Sequence, residues 1–226
     1  MFRLGPAPSS LISLISSLFL LCSFGMLAQR QLHACLRMYV FQACLLAAAA
    51  VVVWHTDGSV SLLAFSIVTV LGKVVLVPSV LRRLVPKLYL LHREIDQTIS
   101  ISLALLTACV LTIFAGAVMY RLASGGLHAA DNIEASVGLA AFLIGLFMLF
   151  VRKEAIPQLI AILALENAVF LCGLAVAPTF PIFVEIGLTL DLLILVVVVS
   201  LMTHMMYEQQ GTTDTSTLNL LGEKLP

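Results

Sequence analysis

The sequence predicts an all-α membrane protein, a polytopic bundle of about seven transmembrane helices. Apolar residues make up 61% of its 226 residues and charged residues only 11%, whereas soluble domains are about one-quarter charged. The apolar residues also form runs of about 20, the length that a helix needs to cross a bilayer. The chain carries no net charge, so its composition indicates the lipid bilayer as its surroundings and no attraction to nucleic acid.

The apolar runs follow one another along the whole chain. The first could be a signal peptide, but Met26-Leu27-Ala28-Gln29 is a poor cleavage site, so we expect it to remain as a helix. The chain is therefore expected to comprise an N-terminal four-helix region (1–133), a three-helix unit (134–206) and a polar cytoplasmic tail (207–226). The predicted spans lie near residues 10–28, 36–54, 60–81, 98–120, 134–151, 156–176 and 182–206.

The connections between the spans are short, with one exception. Residues 82–96 mix basic, acidic and apolar side chains, which fits either a solvated loop or a short amphipathic segment on the membrane surface. Gly125-Gly126 indicates a turn before the fifth span, on the extracytoplasmic side. Arg152-Lys153-Glu154 and residues 177–181 join the last three spans closely.

The basic residues predict the orientation of the bundle, because cytoplasmic loops are enriched in Lys and Arg. With seven spans, the N-terminus and the loops after the second, fourth and sixth spans share one side, which carries only Arg3 and Arg121. We therefore expect the N-terminus outside and the C-terminus inside the cytoplasm. The opposite side carries Arg30, Arg37, Arg82, Arg83, Lys87, Arg93, Arg152, Lys153 and Lys224.

Four ionisable residues lie inside the predicted spans. Glu166 and Asp191 are near the middle of the sixth and seventh spans, at a similar depth, and no Lys or Arg stands near either in its own span. Lys73 lies in the third span, and Glu185 is about one turn into the seventh. Charged groups at membrane depth are costly, and they usually belong to ion or proton routes. These four residues are the candidate proton pathway.

Two interpretations of these charges stay open. Lys73 could form a buried ion pair with Glu166 or Asp191 that only fixes helix packing, with Glu185 reaching the surface. Alternatively, the four residues could form a water-linked chain that exchanges protons. Pro78 favours a polar site beside Lys73, because its ring crowds the preceding turn and it lacks an N–H, so the third span should kink or loosen there.

Other kinds of site find little support in the sequence. All five histidines fall at or near the ends of predicted helices, so no span offers a pair for haem. We interpret the scattered cysteines Cys22, Cys35, Cys44, Cys109 and Cys172 as small packing residues, not as ligands or disulfides. No phosphate loop, nucleophile elbow or metal-ligand spacing occurs. The chain is expected to be a non-catalytic membrane component of a larger assembly.

Four segments carry a family resemblance. The runs LALENA (163–168), VEIGLTLD (184–191), GTTDTSTLN (211–219) and GKVVLVP (72–78) resemble component E of hydrogenase-4 type energy-converting membrane hydrogenases and formate hydrogenlyases. Residues 134–206 also resemble the K subunit of respiratory complex I and the small subunit of multisubunit cation/proton antiporters. The resemblance covers most of the chain.

The resemblance implies a role in proton movement. In the K subunit a glutamate on each of the last two helices lies on the proton route, and Glu166 and Asp191 are similar in position. The chain departs from that pattern because Asp stands in place of Glu and the connection between the helices is shorter, which makes an intervening water the expected link. The first four spans have no counterpart in the K subunit, so the role of Lys73 does not follow from it.

The resemblance also implies partners and a location. Antiporter-like and H-subunit-like membrane subunits would lie beside this chain, and soluble hydrogenase-type subunits would hold the NiFe centre and iron–sulfur clusters, with no cofactor in this chain. The assembly would lie in the cytoplasmic (inner) membrane of a bacterium or archaeon. Two alternatives remain open, a small subunit of a cation/proton antiporter and a structural membrane scaffold. Small residues of the fifth span, such as Gly138 and Gly145, should allow neighbouring helices to approach closely.

Overall fold

The computed structural model describes residues 6–58, 60–84, 99–125, 133–176 and residue 197, and every regular element within the four ranges is helical. A π-helical turn interrupts the third span between α3 and α4. The elements are α1 (Pro6–Ala28), α2 (Leu32–Asp57), α3 (Val60–Thr69), the π-helical turn (Val70–Leu76), α4 (Val77–Leu84), α5 (Ile101–Ser124), α6 (Ile133–Val151) and α7 (Ala155–Val176).

Six helical stretches in the described ranges are long and apolar enough to cross a membrane, and they coincide with the first six predicted spans. The described part of the chain is thus all-helical, and its apolar helices are those of a multi-pass membrane protein. The predicted seventh span (182–206), which contains Glu185 and Asp191, lies outside the described residues, as does the tail from residue 207. The six spans are Ser10–Ala28, Leu32–His55, Val60–Ser79, Ile101–Ser124, Ile133–Val151 and Ala155–Val176.

Helix α2 begins four residues earlier than predicted, so that His33 joins Arg37 within the helix. Their polarity interrupts the apolar run, but it does not interrupt the helix, because long polar side chains can extend toward the membrane surface. The helix ends at Gly58, whose φ of 70° lies in the left-handed region and whose N–H donates to the carbonyl of Trp54. Glycine adopts that conformation without steric cost.

The helices share a continuous core. One buried cluster contains residues of α1, α2, α4, α5, α6 and α7, among them Leu27, Tyr39 and Leu81. A second contains Phe65 of α3 and Phe170 of α7, whose rings meet edge to face with centroids 5.4 Å apart. The α6–α7 hairpin therefore packs directly on the N-terminal helices. The predicted boundary at residues 133/134, between the N-terminal four-helix region and the three-helix unit, stays a prediction.

Two glycines of α6 bring it very close to α7. A Cβ atom at Gly138 would lie 2.7 Å from the backbone nitrogen of Cys172, and one at Gly145 would lie 3.2 Å from the Cα of Leu165. Because any larger residue would collide with the neighbouring backbone, the close packing depends on these glycines. This confirms the prediction that small residues of the fifth span permit close helix packing.

The third span is loosened next to Lys73, as Pro78 predicts. Its backbone widens into a π-helical turn over Val70–Leu76, and the N–H of Val77 donates to the carbonyl of Gly72, five residues earlier. Pro78 follows directly and has no N–H to continue the regular α-helical pattern. Such turns are rare and occur frequently at functional sites.

Helix α5 lies at the edge of the described bundle. It buries only one narrow stripe, formed by Ala104, Ala108, Ala115 and Met119. On its other sides the apolar side chains are exposed, with Ile113 at 73%. This face is therefore available to lipid or to another membrane polypeptide.

Candidate functional site

A buried ion pair lies at the centre of the bundle. The Nζ atom of Lys73, on the π-helical turn, lies 3.1 Å from Oε1 of Glu166 on α7. The two side chains are only 3% and 11% exposed. The structure thus brings together two of the four residues predicted for a proton pathway. The other two, Asp191 and Glu185, lie outside the described residues.

Two further groups from α7 hold the ammonium of Lys73. Its Nζ donates a 2.9 Å hydrogen bond to Oδ1 of Asn167, and it lies 4.5 Å from the centre of the Phe170 ring. Aromatic faces attract cations, most strongly where water is excluded. Lys73 is therefore held by a full charge, an amide dipole and a ring, all on one helix.

The hydrogen bonds continue from Asn167 across the bundle. Its Nδ2 donates to Oε1 of Gln42 on α2 at 3.4 Å, and Nε2 of Gln42 donates to Oγ of Ser23 on α1 at 3.0 Å. Ser23 in turn donates to the carbonyl of Phe19 at 3.3 Å. Asn167, Gln42 and Ser23 are all buried. A chain of polar side chains thus joins α7, α2 and α1 at membrane depth.

The carboxylate of Glu166 is less well satisfied than its partner. Its contact with Lys73 is at ion-pair distance, but neither oxygen receives a hydrogen bond of good geometry from the described residues. The Tyr39 hydroxyl, which is fully buried and close enough for the Glu166 charge to act on it, also lacks a hydrogen-bond partner among these residues. Buried polar atoms of this kind normally bind water. The surroundings of Glu166 thus favour a water-containing site.

Sequence reasoning identified Lys73 and Glu166 but missed Asn167, Gln42 and Ser23. A signal was present for two of them: Asn167 directly follows Glu166, and Gln42 is an isolated amide within the apolar run of α2. Ser23 gave no signal, because serine is common in transmembrane helices and often bonds to its own backbone.

Arg152 forms a second buried cation, at the connection between α6 and α7. It is 1% exposed. Its Nη2 donates to the carbonyls of Met26 at 2.8 Å and Gln29 at 3.0 Å, and more weakly to the carbonyl of Leu27 at 3.4 Å. These are the carbonyls at the end of α1, where the helix has no N–H groups left to bind them. Arg152 therefore caps α1 from a distant part of the chain.

The position of Arg152 in a short connection was predicted, but its burial was not. Burial lowers the pKa of its guanidinium, and the nearby Cys35 and Glu154 oppose that change. Arginine is the most basic side chain and stays protonated in proteins, so the group remains charged. Arg152 thus differs from an ordinary basic loop residue, which would extend into water.

All five cysteines are free. Cys22 and Cys35 are buried packing residues as predicted, whereas Cys44 and Cys109 lie on the exposed surface of the bundle. The described residues contain no group of three or more His, Cys, Asp or Glu side chains arranged to hold a metal ion.

One curated relative extends over nearly the whole chain. The uncharacterized protein Rv0085 of Mycobacterium tuberculosis is 26% identical over 214 residues, which are 94% of this chain and 96% of the relative. No protein-family model matches the chain, and no solved structure matches it. The likeness covers the N-terminal spans as well as the C-terminal part, so the two proteins are similar along their length.

Proposed function

We propose that this chain is a membrane-arm subunit of a group 4 hydrogenase-type, complex I-like assembly, in which it contributes to proton translocation. The observation that supports this best is the buried Lys73–Glu166 pair, whose carboxylate oxygens receive no well-directed hydrogen bond from the described residues. Carboxylate oxygens in this condition can bind water, which a proton route needs.

The pair has the chemistry that a proton relay needs. An ammonium and a carboxylate 3.1 Å apart exchange a proton with little movement of the heavy atoms, and the products are a neutral amine and a neutral acid. Neither state places a net charge in the bundle, so both avoid the cost of an isolated buried ion. If a further charged group or a water molecule moved next to Glu166, it would change which of the two forms, the ion pair or the neutral pair, has the lower free energy. The reason is that the protonation of one group depends on the charges of its neighbours.

The remaining parts of the proposal follow from the sequence. A seventh span would bring Asp191 and Glu185 to the same bundle, with the N-terminus outside and the C-terminus in the cytoplasm. Nickel, iron–sulfur clusters and redox catalysis belong to partner subunits in this proposal. The exposed apolar face of α5 gives such membrane partners a place to bind.

A structural scaffold is the second candidate, and one observation favours it. Lys73 cross-links the third span to α7 through Glu166, Asn167 and Phe170. Those contacts would lock the helices together whether or not a proton ever moves. The other alternative, a small subunit of a cation/proton antiporter, would use the same Lys73–Glu166 site to move protons in a different assembly.

The decisive experiment measures proton movement in vesicles that contain the whole complex. Glu166→Gln keeps the size of the side chain and removes the titrating group, so we expect proton translocation per turnover to fall strongly while the complex still forms. Glu134→Gln is the matched control, because Glu134 lies in the first turn of α6 at the edge of the span, where it accepts a hydrogen bond from Ser13. Unchanged translocation in Glu166→Gln would leave the scaffold as the better description.

Asp191 extends the same test to the predicted seventh span. Asp191→Asn should impair translocation as Glu166→Gln does, whereas Asp191→Glu keeps a titrating carboxyl and should be tolerated. A merely structural acid would behave differently: its removal would spare the roughly 2.5 kcal/mol or more that a charge costs at membrane depth, so the amide variant would be equally stable and fully active. That pattern would contradict the proposal.

A further inference from the structure

A second site lies on the outside of the bundle, away from the Lys73–Glu166 pair. A cavity of about 950 Å³ lies between the second half of α1 and the first half of α2, and Pro78 of α4 and Leu105 of α5 also line it. Its lining is almost entirely apolar, with Leu21, Phe24 and Phe41 among its walls. The volume is at the upper end of the range for binding sites of drug-sized molecules.

One end of this groove is basic. His33 and Arg37 are four residues apart on α2, so they lie on one face of the helix, and both are exposed and line the groove. Phe41 and Cys44 continue the same face along the apolar part of the groove. The surface that α2 presents is therefore positive at its beginning and apolar beyond it.

Arg37 lies about one and a half turns into the span Leu32–His55, so its long side chain can bring the guanidinium to the level of the lipid headgroups. Arg37 is exposed, and no described acid lies at ion-pair distance from it. The phosphates of the headgroup layer are therefore the anions within reach of this arginine.

We propose that this groove binds an anionic phospholipid of the bilayer, with its phosphate on Arg37 and His33 and an acyl chain along Phe41 and Cys44. The dimensions agree: residues 33 to 44 of a helix cover about 16 Å, and one leaflet contributes about half of the roughly 30 Å hydrocarbon core. Basic sites between transmembrane helices recognise anionic lipid headgroups in this way. The proposal is independent of any role in proton movement.

A lipid fits the groove better than a helix of a partner protein does. A helix seated along α2 would place its own apolar side chains beside Arg37 and would separate the guanidinium from the headgroup phosphates, so that a covered positive charge would have no counter-ion. A phospholipid supplies a phosphate and a hydrocarbon chain in the same molecule and in the same order as the basic and apolar parts of the groove.

The test uses the full chain in its membrane complex, reconstituted in vesicles of phosphatidylcholine with one-fifth phosphatidylglycerol and then transferred to detergent for native mass spectrometry. We expect the wild type to retain phosphatidylglycerol in preference to phosphatidylcholine. Arg37→Gln should reduce the retained phosphatidylglycerol by roughly five-fold, in line with the usual contribution of one basic residue at an anionic surface. Arg121→Gln, which removes an exposed arginine at the end of α5 away from the groove, should leave it unchanged.

A second pair of variants tests the apolar part. Cys44→Phe fills the groove and should reduce retention of both lipids, whereas Cys109→Phe enlarges an exposed cysteine that does not line the groove and should have no effect. Equal retention of phosphatidylglycerol in Arg37→Gln and wild type would overturn the proposal. It would also be overturned if Cys44→Phe released a neighbouring polypeptide while phosphatidylglycerol stayed bound, because the groove would then hold a protein helix.

Discussion

Lys73 and Arg152 are both almost fully buried cations, at 3% and 1% exposure, but they are bound by different kinds of group. Lys73 faces the carboxylate of Glu166, which can accept a proton. Arg152 faces the carbonyls of Met26 and Gln29, which cannot. The cost of burial is therefore offset at Lys73 by a carboxylate at ion-pair distance, and at Arg152 by carbonyl dipoles together with the nearby charge of Glu154. The difference is that Lys73 is joined to a group that can take up its proton, whereas the atoms that accept hydrogen bonds from Arg152 cannot.

The largest effect is expected at Arg152. Arg152→Leu removes the guanidinium that donates to the carbonyls of Met26 and Gln29, at a cost of about 1–3 kcal/mol for each hydrogen bond lost in a buried place, and it removes the cation near the buried Glu154. We expect the subunit to fall to a small fraction of its normal amount in the membrane, as measured by immunoblot.

The control for Arg152 is its neighbour Lys153. Lys153 is exposed, and interactions at an exposed site contribute at most about 1 kcal/mol, so Lys153→Gln should accumulate normally. If Arg152→Leu accumulates as Lys153→Gln does, Arg152 is not part of the framework and the comparison with Lys73 fails.

At Lys73 we expect a loss of coupling with the complex still assembled. Lys73→Met keeps the length of the side chain and removes only the charge, so proton translocation per turnover should fall strongly. If instead the subunit disappears from the membrane, Glu166 has been left as an unpaired buried charge and the pair is chiefly structural.

The double variant Lys73→Met with Glu166→Gln separates these outcomes. It contains no unpaired charge, so it should accumulate normally even if Lys73→Met alone does not. Restored assembly without restored translocation would support the relay, and restoration of both would contradict it.

A smaller effect is expected where α6 meets α7, the hairpin that carries both Arg152 and Glu166. An added methyl at Gly138 would lie 2.7 Å from a backbone atom of α7, and overpacking of this kind typically costs about 1–3 kcal/mol. Gly145→Ala, with a closest approach of 3.2 Å, should cost less. Unfolding midpoints in detergent micelles with rising denaturant would rank the variants.

Gly116 on α5 is the matched control, because no atom lies within 4 Å of an added Cβ. Gly116→Ala should be neutral or should stabilise the chain by up to about 1 kcal/mol, the difference in helix propensity between the two residues. A destabilisation equal to that of Gly138→Ala would mean that close packing of α6 and α7 is not the cause.

Much of the fold was predictable, because a helix that crosses a membrane must be apolar along its whole length. Six predicted spans coincide with observed ones. The predicted start of α2 was wrong by four residues, since His33 lowers the hydropathy of the first turn while remaining helical. The loosening of the third span was also predictable, because Pro78 acts on its own helix.

The candidate site was predictable only in part. Lys73 and Glu166 could be recognised singly, because each is a charge in an apolar run. An ion pair of Lys73 with Glu166 or Asp191 was one of two interpretations, but no local rule chose between the two acids, because both are far from Lys73 in the chain. Gln42 stands out as an isolated amide in an apolar run and Ser23 does not stand out, but the partners of both could not be predicted, because an amide and a hydroxyl become partners only when packing brings α1, α2 and α7 together.

The sequence by itself determined the class of the protein, the helices and the presence of charges at membrane depth, because those properties depend on neighbouring residues and on the thickness of a bilayer. Only the tertiary structure decided that Lys73 pairs with Glu166 and that Arg152 turns inward to cap α1. The physical reason is that a buried charge is stabilised by whatever group lies within a few ångströms of it, and that neighbour is set by helix packing.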